Sequence, residues 1–102
     1  MGIFNLFGNK SDQNILEYKS KGAIILDVRT RQEYNTGAIK GSRHIALQDL
    51  PNQLLALKKS NKSFIVCCAS GIRSGRATKL LNSKNIDAIN GGGWQSLACK
   101  IK

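Results

Sequence analysis

The sequence predicts a small α/β domain: a central, mostly parallel sheet of about four to five strands flanked by helices. Two apolar runs, Ala23–Val28 and Phe64–Cys67, lack polar alternation and read as strands buried on both faces. Segments with helical spacing lie between and after them. Both runs end beside residues with chemistry, Asp27 and Cys68. Ligands of open parallel sheets gather outside the carboxyl ends of the strands. With 102 residues one domain is expected, over 11–102, preceded by a tail or edge strand at 1–10.

The elements follow in order. Ile3 to Phe7 could form a short first strand. Ser11 suits an N-cap, Asp12 the first turn, and Gly22 the stop of a helix over Asp12–Lys21. The strand Ala23–Val28 comes next. Thr30-Arg31-Gln32-Glu33 is a capping box for a short helix that Gly37 ends. Arg43–Leu47 reads as a short strand. Pro51 suits a helix start, where its missing N–H costs nothing. Leu54, Leu55 and Leu57 would give that helix its apolar stripe, with Lys58 and Lys59 at its carboxyl end. After Phe64–Cys67 a helix is expected over Arg73–Ser83, with Ala77, Leu80 and Leu81 facing the sheet. Asp87–Ile89 would be a last strand and Gly91-Gly92-Gly93 a turn before a terminal helix.

The stretch Cys68-Ala69-Ser70-Gly71-Ile72-Arg73-Ser74 joins the central strand to a helix. Strand, tight loop and helix aim backbone N–H groups and a helix N-terminus at one point. A cysteine there is favoured as thiolate, with a pKa expected below that of a free thiol. Cys67 and Cys68 are neighbours on a strand, so their side chains point to opposite faces.

This loop resembles the active-site loop of the rhodanese family of single-domain sulfurtransferases, Cys-x-x-Gly-x-Arg-Ser/Thr between strand and helix. Asp27-Val28-Arg29, Glu33-Tyr34-x-x-Gly37-x-Ile39-x-Gly41 and the glycine run before Trp94 are similar to further family pieces, in the same order. The resemblance spans residues 11–99 and implies a rhodanese-like fold. Ala38 and Ser42 depart from the family's usual His and Ala, which touches loop packing rather than chemistry. Ala69 stands where many members carry Arg or Lys, so thiosulfate is less secure as the donor. The resemblance implies that Cys68 attacks a sulfane sulfur, that N–H groups of residues 69–73 cradle the persulfide, and that a thiol or cyanide removes it. Ala69, Ser70, Gly71, Ile72, Arg73 and Ser74 would line the substrate. Asp27 and Arg29 would support the loop, Asp27 by accepting backbone N–H groups and Arg29 by pairing with a carboxylate. No cofactor and no metal are implied.

Two other readings stand beside it. Counted from Cys67, the spacing to Arg73 matches the loop of cysteine phosphatases that share this fold, although Val66 replaces their usual His. A non-catalytic rhodanese-like binding module is the third reading, and the presence of Cys68 speaks against it. His44, the sole histidine, reads as a hydrogen-bonded structural residue rather than a base. Trp94 reads as packing. Cys99 reads as a small buried apolar residue, with a resolving thiol as the sharper alternative.

Composition bounds the partners. Three cysteines, two of them adjacent, make a poor disulfide framework and no zinc spacing, which fits a reducing, cytoplasmic setting. The net charge of +10 favours anionic partners. Basic residues are scattered with few aromatics between them, so nucleic acid is not expected. Arg73, Arg76 and Lys79 follow the loop at helical spacing and suit a small sulfur-donor anion. A thiol acceptor or a protein donor or acceptor is also compatible. No membrane-spanning run or secretory leader is visible. A monomer is expected.

Overall fold

The computed structural model describes residues 10–102, with side chains from residue 14. The strand expected at Ile3–Phe7 lies outside the described residues. Four strands form one sheet in the order β2-β1-β3-β4, all parallel: β1 Ile24–Asp27, β2 Arg43–His44, β3 Phe64–Cys68 and β4 Ala88–Gly93. The helices are α1 Lys10–Ser20, α2 Arg31–Thr36, α3 Leu54–Ser60, α4 Ile72–Ser83 and α5 Trp94–Lys100. A 3-10 helix, Leu47–Gln53, precedes α3.

Every residue of β3 is buried, as a central parallel strand demands. Its side chains alternate between two cores. Phe64, Val66 and Cys68 pack with Leu50, Leu57, Ala77 and Leu81 from the 3-10 helix, α3 and α4. Ile65 and Cys67 pack with Ile15 of α1 and Leu97 of α5 on the opposite face. One-residue alternation on this strand therefore decides which face each cysteine serves.

Several boundaries differ from expectation. Helix α1 already includes Lys10, so Ser11 lies within it instead of capping it. Strand β2 stops at His44, because the chain leaves the sheet for the 3-10 helix. Pro51 sits inside that 3-10 helix and not at the start of α3. Leu57 is buried and Leu54 packs against the core, but Leu55 is 70% exposed and belongs to no apolar stripe. The glycine run is strand, not turn: β4 continues to Gly93, with Gly92 opposite Cys67 and Gly93 opposite Cys68. A Cβ on Gly93 would lie 2.8 Å from the Ala69 carbonyl oxygen, so only a bare backbone passes this close to the loop.

Candidate active site

The site lies where β3 gives way to α4. Gly71 takes a left-handed conformation, φ 107°, and starts α4 without a side-chain cap of its own. The Cys68 sulfur fills that place. The N–H of Gly71 donates to Sγ at 3.0 Å and the N–H of Ser74 at 3.3 Å. Ser74 Oγ lies 3.3 Å from the same sulfur. The thiol thus receives helix N–H groups that lack a partner within the helix. Burial raises the pKa of Cys68, but the Ser74 hydroxyl and the N–H groups of Ser74, Gly71 and Ser70 outweigh it, and the net shift is below the ordinary value. The residue is 1% exposed.

Cys67 has the opposite environment. It points into the other core, and burial, then the nearby Asp27 carboxylate, push its thiol up to about 12. It is neutral at physiological pH and has no place in the loop. This environment speaks against Cys67 as the nucleophile of the longer loop.

Asp27 and Arg29, expected to support the loop, bond to each other and to the end of α2. Asp27, fully buried, accepts the Arg29 N–H at 3.0 Å and pairs with the Arg29 guanidinium at 2.7 Å. Arg29 also donates to the carbonyls of Gly37 and Glu33, at 2.7 and 3.2 Å. Its guanidinium lies 4.6 Å from the centroid of the Trp94 ring. One buried cation thus ties together the end of β1, α2 and the start of α5. His44 Nε2 meets the Arg29 carbonyl at 2.7 Å, and because a carbonyl only accepts, Nε2 carries the proton.

Arg73 reaches Glu33 with two bonds, 2.7 and 3.0 Å. Glu33 closes the capping box of α2 with Thr30 as well. The Arg73 guanidinium, helped by the Thr30 N–H, draws the Glu33 carboxyl down to about 2. Sequence reasoning placed Glu33 in the cap and missed this second role, for which the spacing of 40 residues leaves no local signal. It also missed Asn90, whose side chain meets both Ser74 and Gly71. Arg73 further borders a groove of about 850 Å³ that Thr30, Arg31, Arg43, His44 and Asp49 help to line. Ile72 is 69% exposed at the tip of the loop, while Ala69 and Ser70 face solvent. Arg76 and Lys79 are exposed on α4.

Cys99 corrects an expectation. It is exposed on α5 and not a buried core residue. Helix α5 packs on the face away from Cys68, and Cys99 lies five residues, about 7.5 Å of helical rise, from its start.

Comparison with known proteins identifies the family. The family model described as rhodanese-like domain matches residues 11–97. A Bacillus subtilis protein named "Putative sulfurtransferase YtwF" is 32% identical over 66 residues, covering 65% of this chain and 63% of that protein. A tRNA sulfurtransferase of Thermoplasma volcanium is 26% identical over 74 residues, which cover 72% of this chain and 15% of that protein. The chain thus spans less than two thirds of the length of these relatives. The crystal structure of a rhodanese-like domain protein from Staphylococcus aureus aligns with a TM-score of 0.67 at 32% identity, over 74% of each chain.

Proposed function

The chain belongs to the rhodanese-like domain family, and from that premise we propose that it is a sulfurtransferase that carries sulfur as a persulfide on Cys68. The observation that supports this best is the placement of the Cys68 sulfur under the N–H groups of Gly71 and Ser74. In the first half-reaction the thiolate attacks the outer sulfur of the donor. A new S–S bond forms, the donor's S–S bond breaks, and its electron pair leaves with the departing group, sulfite when the donor is thiosulfate. In the second, a thiol acceptor or cyanide attacks the terminal sulfur and the Cys68 thiolate is restored. N–H groups of the loop hold the negative charge of the persulfide as they hold that of the thiolate.

The loop bears on the choice of donor. Ala69 adds no cation and Arg73 is engaged by Glu33, so a small anion meets mainly N–H groups. A low-molecular-weight persulfide or a protein persulfide is therefore as good a donor as thiosulfate. The free cysteines fit a reducing, cytoplasmic setting. Among the described residues no helix is long and apolar enough to cross a membrane.

Mass spectrometry after incubation with thiosulfate, and separately with a glutathione persulfide, tests the reading. One added sulfur, about 32 Da, is expected on Cys68 with at least one donor, by thiolate attack on sulfane sulfur. Cys68→Ser should abolish the adduct and Cys67→Ser should keep it. Aryl phosphatase turnover lost with Cys67→Ser, and no sulfur on Cys68, would overturn it. No adduct and no turnover would leave a binding module.

A further inference from the structure

The Ser74 hydroxyl has a single proton and two neighbours able to accept it: the Cys68 sulfur and Asn90 Oδ1. Asn90 stands on β4 opposite Val66. Its Nδ2 donates to the Gly71 carbonyl at 3.1 Å, and its Oδ1 accepts the Gly92 N–H at 2.9 Å. Those two contacts fix the amide, because the reversed amide would face N–H with NH₂ and carbonyl with oxygen. Oδ1 is an acceptor only. The contact of 2.7 Å between Ser74 Oγ and Oδ1 therefore holds the serine proton on the Asn90 side. In that orientation Ser74 presents a lone pair to the sulfur, which suits an S–H donor; only when its proton turns to the sulfur does the hydroxyl favour the thiolate.

We propose that Asn90 is a positioning residue for Cys68, whose side-chain oxygen withholds the Ser74 proton from the sulfur and so sets the balance between thiol and thiolate. This rests on Cys68 as the reactive thiol. On ionisation the thiol proton passes to a solvent base. The Ser74 hydroxyl turns about its C–O bond, its hydrogen bond moves from Oδ1 to Sγ, and Oδ1 keeps the Gly92 N–H. Nothing is oxidised or reduced. Around the sulfur, α4 brings the charge of Arg73, which feels Cys68 and is itself held by Glu33 of α2. Strand β3 brings Cys67, neutral and facing the other way. Residues 69–72 and β4 contain no titratable side chain. Asn90 is therefore the group on β4 that can act on the thiol through Ser74.

The test is the rate of Cys68 alkylation by iodoacetamide against pH, read on the Cys68 peptide by mass spectrometry. A Cys99→Ser background removes the exposed thiol. Asn90→Ala and Asn90→Leu both delete the competing acceptor, and because Asn90 is exposed both should fold. Each should move the alkylation profile to lower pH, with the thiolate-to-thiol ratio on its rising limb about fivefold higher, the scale of one hydrogen bond. In a Ser74→Ala background the same substitutions should leave the profile in place. A role confined to clamping Gly71 predicts the reverse, since a loosened Gly71 N–H serves the thiolate less well. A profile that stays or moves to higher pH, or that moves equally without Ser74, overturns the proposal. The readout is alkylation, so a missing persulfide would sink the sulfurtransferase reading alone.

Discussion

Cys67 and Cys68 are adjacent, both buried and both in β3, yet their thiols shift in opposite directions. One residue of strand alternation separates an apolar core from a ring of N–H donors. Cys67→Ser should therefore act on stability alone, lowering it by about 1–3 kcal/mol, the cost of a hydroxyl placed in an apolar site. Urea unfolding measures that loss, and alkylation of Cys68 should keep its pH profile. A shifted profile would mean that Cys67 helps set the charge of its neighbour. Gly93 is decisive for a different reason. Gly93→Ala puts a methyl 2.8 Å from the Ala69 carbonyl, and neither backbone can yield without moving the loop. A loss of about 1–3 kcal/mol is expected from such overpacking, with slower labelling of Cys68. Unchanged labelling would show that the loop tolerates the shift.

The pair formed by Arg73 of α4 and Glu33 of α2 fastens the loop to the capping box. It makes stability depend on pH in a stated window. The Glu33 carboxyl is drawn from 4.5 down to about 2 on folding, so the folded state binds its proton more weakly than the unfolded chain. The stabilisation is complete above about 4.5 and is lost as pH falls towards about 2. The Glu33 side chain is 36% exposed, and screening by solvent leaves on the order of 1 kcal/mol. In Glu33→Gln the slope of stability against pH in this window should flatten, as read by urea midpoints. An unchanged slope would assign the acid sensitivity to other carboxylates. Elements were legible in the sequence where pattern is local. The apolar run of β3, the capping box at Thr30 and the spacing of Ala77 and Leu81 each fixed an element. β4 was not legible beyond Ile89, because glycine gives no side-chain period. Its glycines are strand because they pair with Cys67 and Cys68 of β3, a contact between distant segments. Leu55 and Cys99 failed for a similar reason: residue type alone does not say which side of a short helix meets the core.

At the scale of the molecule, the alternation of strands and helices gave the parallel sheet. Asp27 and Cys68 end β1 and β3, as the apolar runs implied. What stayed hidden was how charge is distributed around that site. The protein carries +10, but two of its arginines are held by carboxylates. Arg29 is matched by Asp27 and Arg73 by Glu33. Beyond the N–H groups that touch the sulfur, more distant cations, including the exposed Arg76 and Lys79, can add to the field at Cys68. Such a field is sensitive to salt, whereas N–H groups touching the sulfur are not. Two alkylating agents of similar size separate the contributions. Iodoacetate is an anion and iodoacetamide is neutral, so the ratio of their rates on Cys68 reports attraction of an anion to the loop. At about 0.01 M salt the Debye length is about 30 Å and the whole surface is felt, while at about 1 M it is about 3 Å and only contacts remain. The ratio should fall several-fold between these conditions, with part of the fall removed by Arg76→Gln together with Lys79→Gln. A ratio that is flat with salt would show that the net charge does not reach the loop, and anionic donors would then gain nothing from it over neutral ones.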